Sequence, residues 1–243
     1  MIRALLSTIS FVAATIAGSL GALVAGVIDK SGDMVLVLAR LWSRVILGVP
    51  GVKLNVTMRA RLEPGRPYIF MPNHASMVDI WAVFVAIPAS FRFIAKKQLS
   101  RIPLFGWAMA AGRFIFIDRQ NALAARRSME EAARRIRSGQ SVVIFPEGTR
   151  TRTGRLGPFK KGGFHLAIDS GVSIVPVAIR GSHAVMPPGS PLIRAGTVTI
   201  EVDDPIPTDG LDTTERDALI QKVRGRIAAM LGEPPESAAA VAQ

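Results

Sequence analysis

Tyr68-Ile69-Phe70-Met71-Pro72-Asn73-His74-Ala75-Ser76-Met77-Val78-Asp79 joins a short apolar run to a polar turn and then to the start of an apolar segment that continues to residue 87. The run over 68–71 reads as a buried strand and 78–87 as a helix, with Pro72 ending the pairing between them. In α/β folds this handover, at the carboxyl end of a strand, is where ligands sit. His74 and Asp79 are five residues apart, so in an unbroken helix they would diverge by about 140°. A turn that opens into a helix brings the carboxylate back to the imidazole. A neutral imidazole with a carboxylate on its other nitrogen suits general-base chemistry, because the carboxylate fixes the tautomer and stabilises the cation. Plainer readings compete: Asp79 as a first-turn helix charge, and His74 as a satisfied core histidine. A metal site would need more ligands, and the other histidines, His165 and His183, are far along the chain. Ser76 is a weaker nucleophile candidate, since no Gly-x-Ser-x-Gly elbow occurs.

The alternation extends outward from this stretch. Strands are expected over 54–59, 68–71, 91–95, 114–117, 142–145, 174–179 and 198–202. Helices are expected over 78–87, 104–111, 121–138, 163–170 and 213–231. This order argues for an α/β sheet with flanking helices. The helix over 121–138 carries Glu130–Arg134 and Glu131–Arg135 at i,i+4 and stops at Gly139.

The N-terminus differs. Residues 4–28 are 25 consecutive uncharged residues, whereas roughly 20 suffice to span a bilayer as a helix. A signal peptide has a shorter apolar stretch of about 7–15 residues, and a core helix is seldom apolar on every face. Residues 34–49 are apolar but carry Arg40 and Arg44 on one helix face, which suggests an interfacial helix with both arginines toward headgroups. The domain reading is a two-helix membrane anchor over 1–50, an α/β domain over 51–232 and a flexible tail over 233–243.

The chain has 243 residues, no cysteine and a net charge of +12. The missing thiols exclude disulfides, cysteine-bound zinc and thiolate catalysis. Residues 92–161 hold 16 Lys and Arg against 4 Asp and Glu, and the rest of the chain is neutral. Such a block suits an anionic partner: substrate phosphate, a lipid surface, an acidic carrier or nucleic acid. No nucleic-acid motif accompanies it, and the anchor argues against that partner.

Two further segments carry chemistry. Phe116-Ile117-Asp118-Arg119 ends a strand in an Asp-Arg pair, either a plain ion pair or an arginine held for phosphate. Phe145-Pro146-Glu147-Gly148-Thr149-Arg150 turns sharply into a loop with Arg152 and several hydroxyls, which is anion-binding material. It lacks the order of a Walker loop, and a solvated basic loop is the alternative.

With Val175-Pro176-Val177, these blocks resemble the lysophosphatidic acid acyltransferase family over residues 68–180. The Asn-His-x4-Asp and Phe-Pro-Glu-Gly-Thr-Arg blocks are highly specific in combination. The resemblance implies an α/β domain behind a two-helix membrane motif, and an enzyme that moves an acyl group from acyl-CoA or acyl-carrier protein to the sn-2 hydroxyl of 1-acylglycerol-3-phosphate. It implies His74 as the base and Asp79 as its partner. Lys96, with Lys97 as the adjacent alternative, would bind the acceptor phosphate together with Arg119, Glu147, Gly148, Thr149 and Arg150. Pro176 would lie on the acyl-donor side. No cofactor, metal or covalent intermediate is implied, and the protein would work on membrane lipids at the cytoplasmic face.

Overall fold

The computed structural model describes residues 2–118 and 122–234. Its strands are β1 (Val52–Met58), β2 (Ile69–Pro72), β3 (Phe91–Lys96), β4 (Ile115–Ile117), β5 (Ser141–Val143), β6 (Ile174–Arg180) and β7 (Gly196–Val202). Its helices are α1 (Ile2–Ile28), α2 (Asp33–Gly48), α3 (Val78–Ala86), α4 (Phe105–Ala111), α5 (Ala122–Arg137), α6 (Gly162–Ser170), α7 (Ser182–Val185) and α8 (Arg216–Leu231), with a 3-10 turn over Lys97–Arg101. The strands form a seven-stranded sheet in the order β1-β7-β6-β2-β5-β3-β4. Neighbours run parallel except β6 and β7, which are antiparallel.

Each expected strand falls on an observed one, because runs of β-branched and aromatic residues suit a sheet buried on both faces. Successive side chains then point to opposite sides. Phe70 joins a core with Leu36 and Ile46 of α2 and Trp81 of α3. Ile69 and Met71 join a second core with Ile136 of α5, Phe164 of α6 and Val223 of α8. The sheet is thus covered on both faces, and β2 lies near its middle.

Some boundaries differ from expectation. α8 starts at Arg216 rather than residue 213, because Asp212 accepts from the Thr214 amide at 2.7 Å and from its hydroxyl, a local turn that competes with helix. The expected start of α5 at Asn121 lies outside the described residues. On α5 the Glu131–Arg135 pair forms, at 2.9 Å, but Glu130–Arg134 does not. Arg134 turns to Glu131 at 2.6 Å, and Glu130 takes Arg126, one turn earlier, at 3.0 Å. At the expected tail, Glu233 is tied down: its carboxylate accepts from the Leu156 amide at 3.2 Å, and its own amide donates to the Ala228 carbonyl. Residues 235–243 lie outside the described part.

α1 is long and apolar enough over Thr8–Ile28 to cross a membrane. Its inner side packs onto the domain, where Ala22 and Ala25 meet Val35 of α2 and Ala108 of α4. A Cβ on Gly26 would come within 2.7 Å of the Ala111 Cβ, so glycine lets α1 and α4 approach closely. The outer side leaves Ile9, Val12, Ile16, Leu20 and Val24 exposed. On α2, Arg44 is exposed as expected but Arg40 is not turned to headgroups. Its guanidinium donates to the carbonyls of Phe84, Ile87 and Ala89 at 3.3, 2.8 and 2.7 Å. These groups end α3 without intrahelical partners, and a cation there also favours the helix dipole.

Arg92 fixes the hairpin to β3. The side chain is 1% exposed and donates to the carbonyls of Ser31 and Phe91 at 2.7 and 2.8 Å and to Asp33 at 2.9 Å. Arg92→Met is expected to cost about 2–3 kcal/mol, because buried carbonyls lose their donors. A matching fall in the urea midpoint checks this, and an unchanged midpoint contradicts it.

Candidate active site

The site lies at the carboxyl end of β2, where Asn73 turns the chain out of the sheet. The Asn73 amide group donates to the Ile179 carbonyl at 3.0 Å and accepts from the Ile179 amide at 2.7 Å. This clasp to β6 fixes where the next residue sits. His74 then meets Asp79 through Nδ1 and Oδ2 at 2.9 Å. The same Oδ2 accepts from the amides of Ala75 and Ser76, both at 2.7 Å. The turn into α3 therefore brings back the side chain that a continuous helix would have carried away. Asp79 is fully buried, and its Oδ1 has no hydrogen-bond partner among the described residues. Because Oδ2 already accepts two amides, it is placed to accept from Nδ1 as well, which leaves Nε2 with a free lone pair. Ser76 is fully buried, its hydroxyl donating to the Met186 carbonyl and accepting from the Val78 amide. It is a structural hydroxyl and not a nucleophile.

Every part of His74 is held by the segment over 145–151. Its amide donates to Glu147 Oε1 at 2.6 Å, and its carbonyl accepts from the Thr151 amide at 2.9 Å. Its ring stacks on Phe145, with centroids 3.9 Å apart and planes at 18°. Neither the Asn73 clasp nor the Phe145 stack was legible in the sequence, where both residues only border the polar ones.

Glu147 is 5% exposed. Its Oε1 serves His74 and its Oε2 accepts from the Gly157 amide at 2.9 Å. Burial pushes its carboxyl up to about 7 against the pull of these two amides, with Asp79 and Glu233 adding to the rise. A raised carboxyl makes the fold most stable below the ordinary value of 4.5, and stability falls as pH rises through about 7. At pH 8 the ionised group costs at most ~3 kcal/mol. Glu147→Gln removes that cost but loses one of the two hydrogen bonds, worth about 1 kcal/mol. The variant is therefore expected to be more stable at pH 8, by about 1–2 kcal/mol. Urea melts at pH 8 check this, and a less stable variant contradicts it.

His74 opens onto a cavity of about 630 Å³. Its polar end is formed by His74, Lys96, Gly148, Thr149 and Arg150. The rest is apolar, walled by Phe93 and Ala95 of β3, Trp81 and Phe84 of α3, Trp42 of α2 and Phe105 of α4. On α1 the lining residues Phe11, Thr15, Gly18, Ser19 and Ala22 share one helix face, a length of ~16 Å. The cavity can hold a long apolar chain with a polar head at His74, which is the combination a lipid needs.

Of the two adjacent lysines, Lys96 lines the cavity, whereas Lys97 pairs with Asp118 at 3.2 Å. Gly148 has φ 73°, a turn conformation that favours glycine. Arg119 lies outside the described residues. Glu147 and Pro176 are not brought to the cavity wall: Glu147 spends its carboxylate on backbone amides, and Pro176 sits inside β6 opposite Met71. His165 contacts Arg216, and His183 contacts the Arg152 carbonyl. Among the described residues, no group of three or more His, Asp or Glu side chains gathers as metal ligands.

Comparison with known proteins agrees with this geometry. The chain is 42% identical over 142 residues to the 1-acyl-sn-glycerol-3-phosphate acyltransferase of Cocos nucifera, covering 58% of this chain and 46% of that one. It is 28% identical over 235 residues to the 1-acyl-sn-glycerol-3-phosphate acyltransferase of Saccharomyces cerevisiae, covering 96% and 77%. The chain spans about half the length of several curated plant relatives it matches. The solved 1-acyl-sn-glycerophosphate acyltransferase of Thermotoga maritima superposes with a TM-score of 0.78 at 25% identity, covering 97% of this chain and 99% of that one. A family model described as acyltransferase matches residues 53–180. That segment runs from β1 through β6 and carries both the His74–Asp79 turn and the loop that grips it; on that match, the chain belongs to the acyltransferase family.

Proposed function

We propose that this protein transfers a fatty acyl group from acyl-CoA or acyl-carrier protein to the sn-2 hydroxyl of 1-acylglycerol-3-phosphate, giving phosphatidic acid and the free thiol. The observation that carries the proposal is the contact between His74 and Asp79 at the polar end of a lipid-sized cavity that Lys96 and Arg150 also line. The names of the relatives support the choice of acceptor.

In this reading the acceptor phosphate docks on Arg150 and Lys96, and binding supplies the orientation of the hydroxyl. The proton of the hydroxyl passes to His74 Nε2 as its oxygen attacks the thioester carbonyl carbon. The tetrahedral intermediate collapses, the C–S bond breaks, and the departing sulfur takes the proton back from His74. No acyl-enzyme forms and no metal takes part. Arg119 belongs to the acceptor site by resemblance to the family, and Pro176 to the donor side. Glu147 acts through His74, not through phosphate, since a buried carboxylate and a phosphate repel. The apolar hairpin keeps the site at the cytoplasmic face of the membrane, where acceptor and product reside.

The test offers the purified protein labelled acyl-CoA and acyl-carrier protein with a panel of lysolipids. Label in phosphatidic acid only when 1-acylglycerol-3-phosphate is present supports the proposal. Preference for another lysolipid corrects the acceptor, and free fatty acid without any acceptor makes the protein a hydrolase. Arg150→Ala is expected to raise the KM for the acceptor roughly 10- to 100-fold, the worth of one charge-assisted bond, while the donor KM stays near its wild-type value. Equal changes in both constants would remove Arg150 from the phosphate site.

A further inference from the structure

α4 has no polar side chain: it reads Phe105-Gly106-Trp107-Ala108-Met109-Ala110-Ala111. A helix that is apolar all round belongs in a protein core or in lipid. The inner side of α4 is accounted for, because Phe105, Ala108 and Met109 line the cavity. The outer side is not. Trp107 is 56% exposed, whereas Trp81 is buried and the Trp42 indole donates to Thr15.

Two further observations indicate what covers this side. α4 packs directly against α1 where Gly26 meets Ala111, so Trp107 continues the exposed apolar stripe of α1. Arg101 and Arg113 bracket the helix, both exposed and neither meeting a carboxylate among the described residues. An indole flanked by cations matches the headgroup layer of a membrane: the ring tolerates both apolar and wet surroundings, and the arginines attract anionic lipid.

We propose that the outer side of α4, centred on Trp107, seats in the headgroup region of an anionic phospholipid bilayer beside α1. At seven residues the helix is only ~10 Å long, so it lies in the interface and does not span. It then forms a thin wall between the bilayer and the cavity. This inference does not depend on the acyl-transfer reading.

The test uses the full chain reconstituted into vesicles of phosphatidylcholine and phosphatidylglycerol, with and without bromine on the acyl chains. The Trp107 signal is the emission lost in Trp107→Phe, a substitution at an exposed position that leaves packing intact. Seating in the interface makes that signal quenched by brominated lipid and shielded from acrylamide in the water. A signal quenched by acrylamide and not by brominated lipid places Trp107 in water and overturns the proposal. A signal shielded from both means that a second copy of the chain covers α4, which overturns it as well.

Discussion

His74→Ala is expected to lower the rate of acyl transfer by about 10³-fold, within the range for removing a positioned general base. The loss falls on kcat, because Lys96 and Arg150 remain to bind the acceptor. The fold survives the change. The bonds that tie position 74 to Glu147 and Thr151 come from its backbone amide and carbonyl, and alanine keeps both. The only packing lost is the stack on Phe145. Unfolding and vesicle-binding measurements on the variant separate lost chemistry from lost structure. A folded variant that retains most of its turnover contradicts the role given to this imidazole.

Asp79→Ala is expected to cost about as much activity, and the double variant little more than either alone, because the two side chains act as one unit. This variant also leaves the amides of Ala75 and Ser76 without their acceptor, a loss of about 1–3 kcal/mol each if buried water does not replace it. Asp79→Asn is the cleaner probe. All three donors converge on Oδ2 while Oδ1 has no partner. An amide oxygen in the place of Oδ2 keeps every bond and the Nδ1–H tautomer, and removes only the charge that stabilises the imidazolium. Its activity should therefore fall between wild type and Asp79→Ala. An asparagine variant as poor as the alanine one means that the charge alone carries the aspartate's contribution; one equal to wild type means that the tautomer alone does.

The sheet was legible because its strands are short runs of Val, Ile and Phe separated by turn residues, and such runs suit few other places. The His74–Asp79 contact was legible as a possibility, since a strand, a proline and an apolar helix fixed where the turn must be. What the sequence hid depends on contacts between distant segments. The cavity exists because α1 docks on α4 through Gly26 and Ala111, positions that read only as small residues in separate apolar stretches. Arg40 read as a headgroup residue because helical spacing cannot reveal that α3 ends beside it. Glu147 read as part of a phosphate loop because its neighbours are basic. Its burial under His74 and Gly157 follows from how that loop folds back. The 3-10 turn over Lys97–Arg101 and the short α7 gave no periodic signal at all.

The central claim is that the acyl group passes straight from sulfur to the lipid oxygen, with His74 carrying only the proton. A single turnover with labelled acyl donor, acid-quenched over time with and without 1-acylglycerol-3-phosphate, tests this most directly. The account predicts label moving from donor to phosphatidic acid with none on the protein, and no movement without acceptor. Label bound covalently to the protein before the lipid product forms would contradict it.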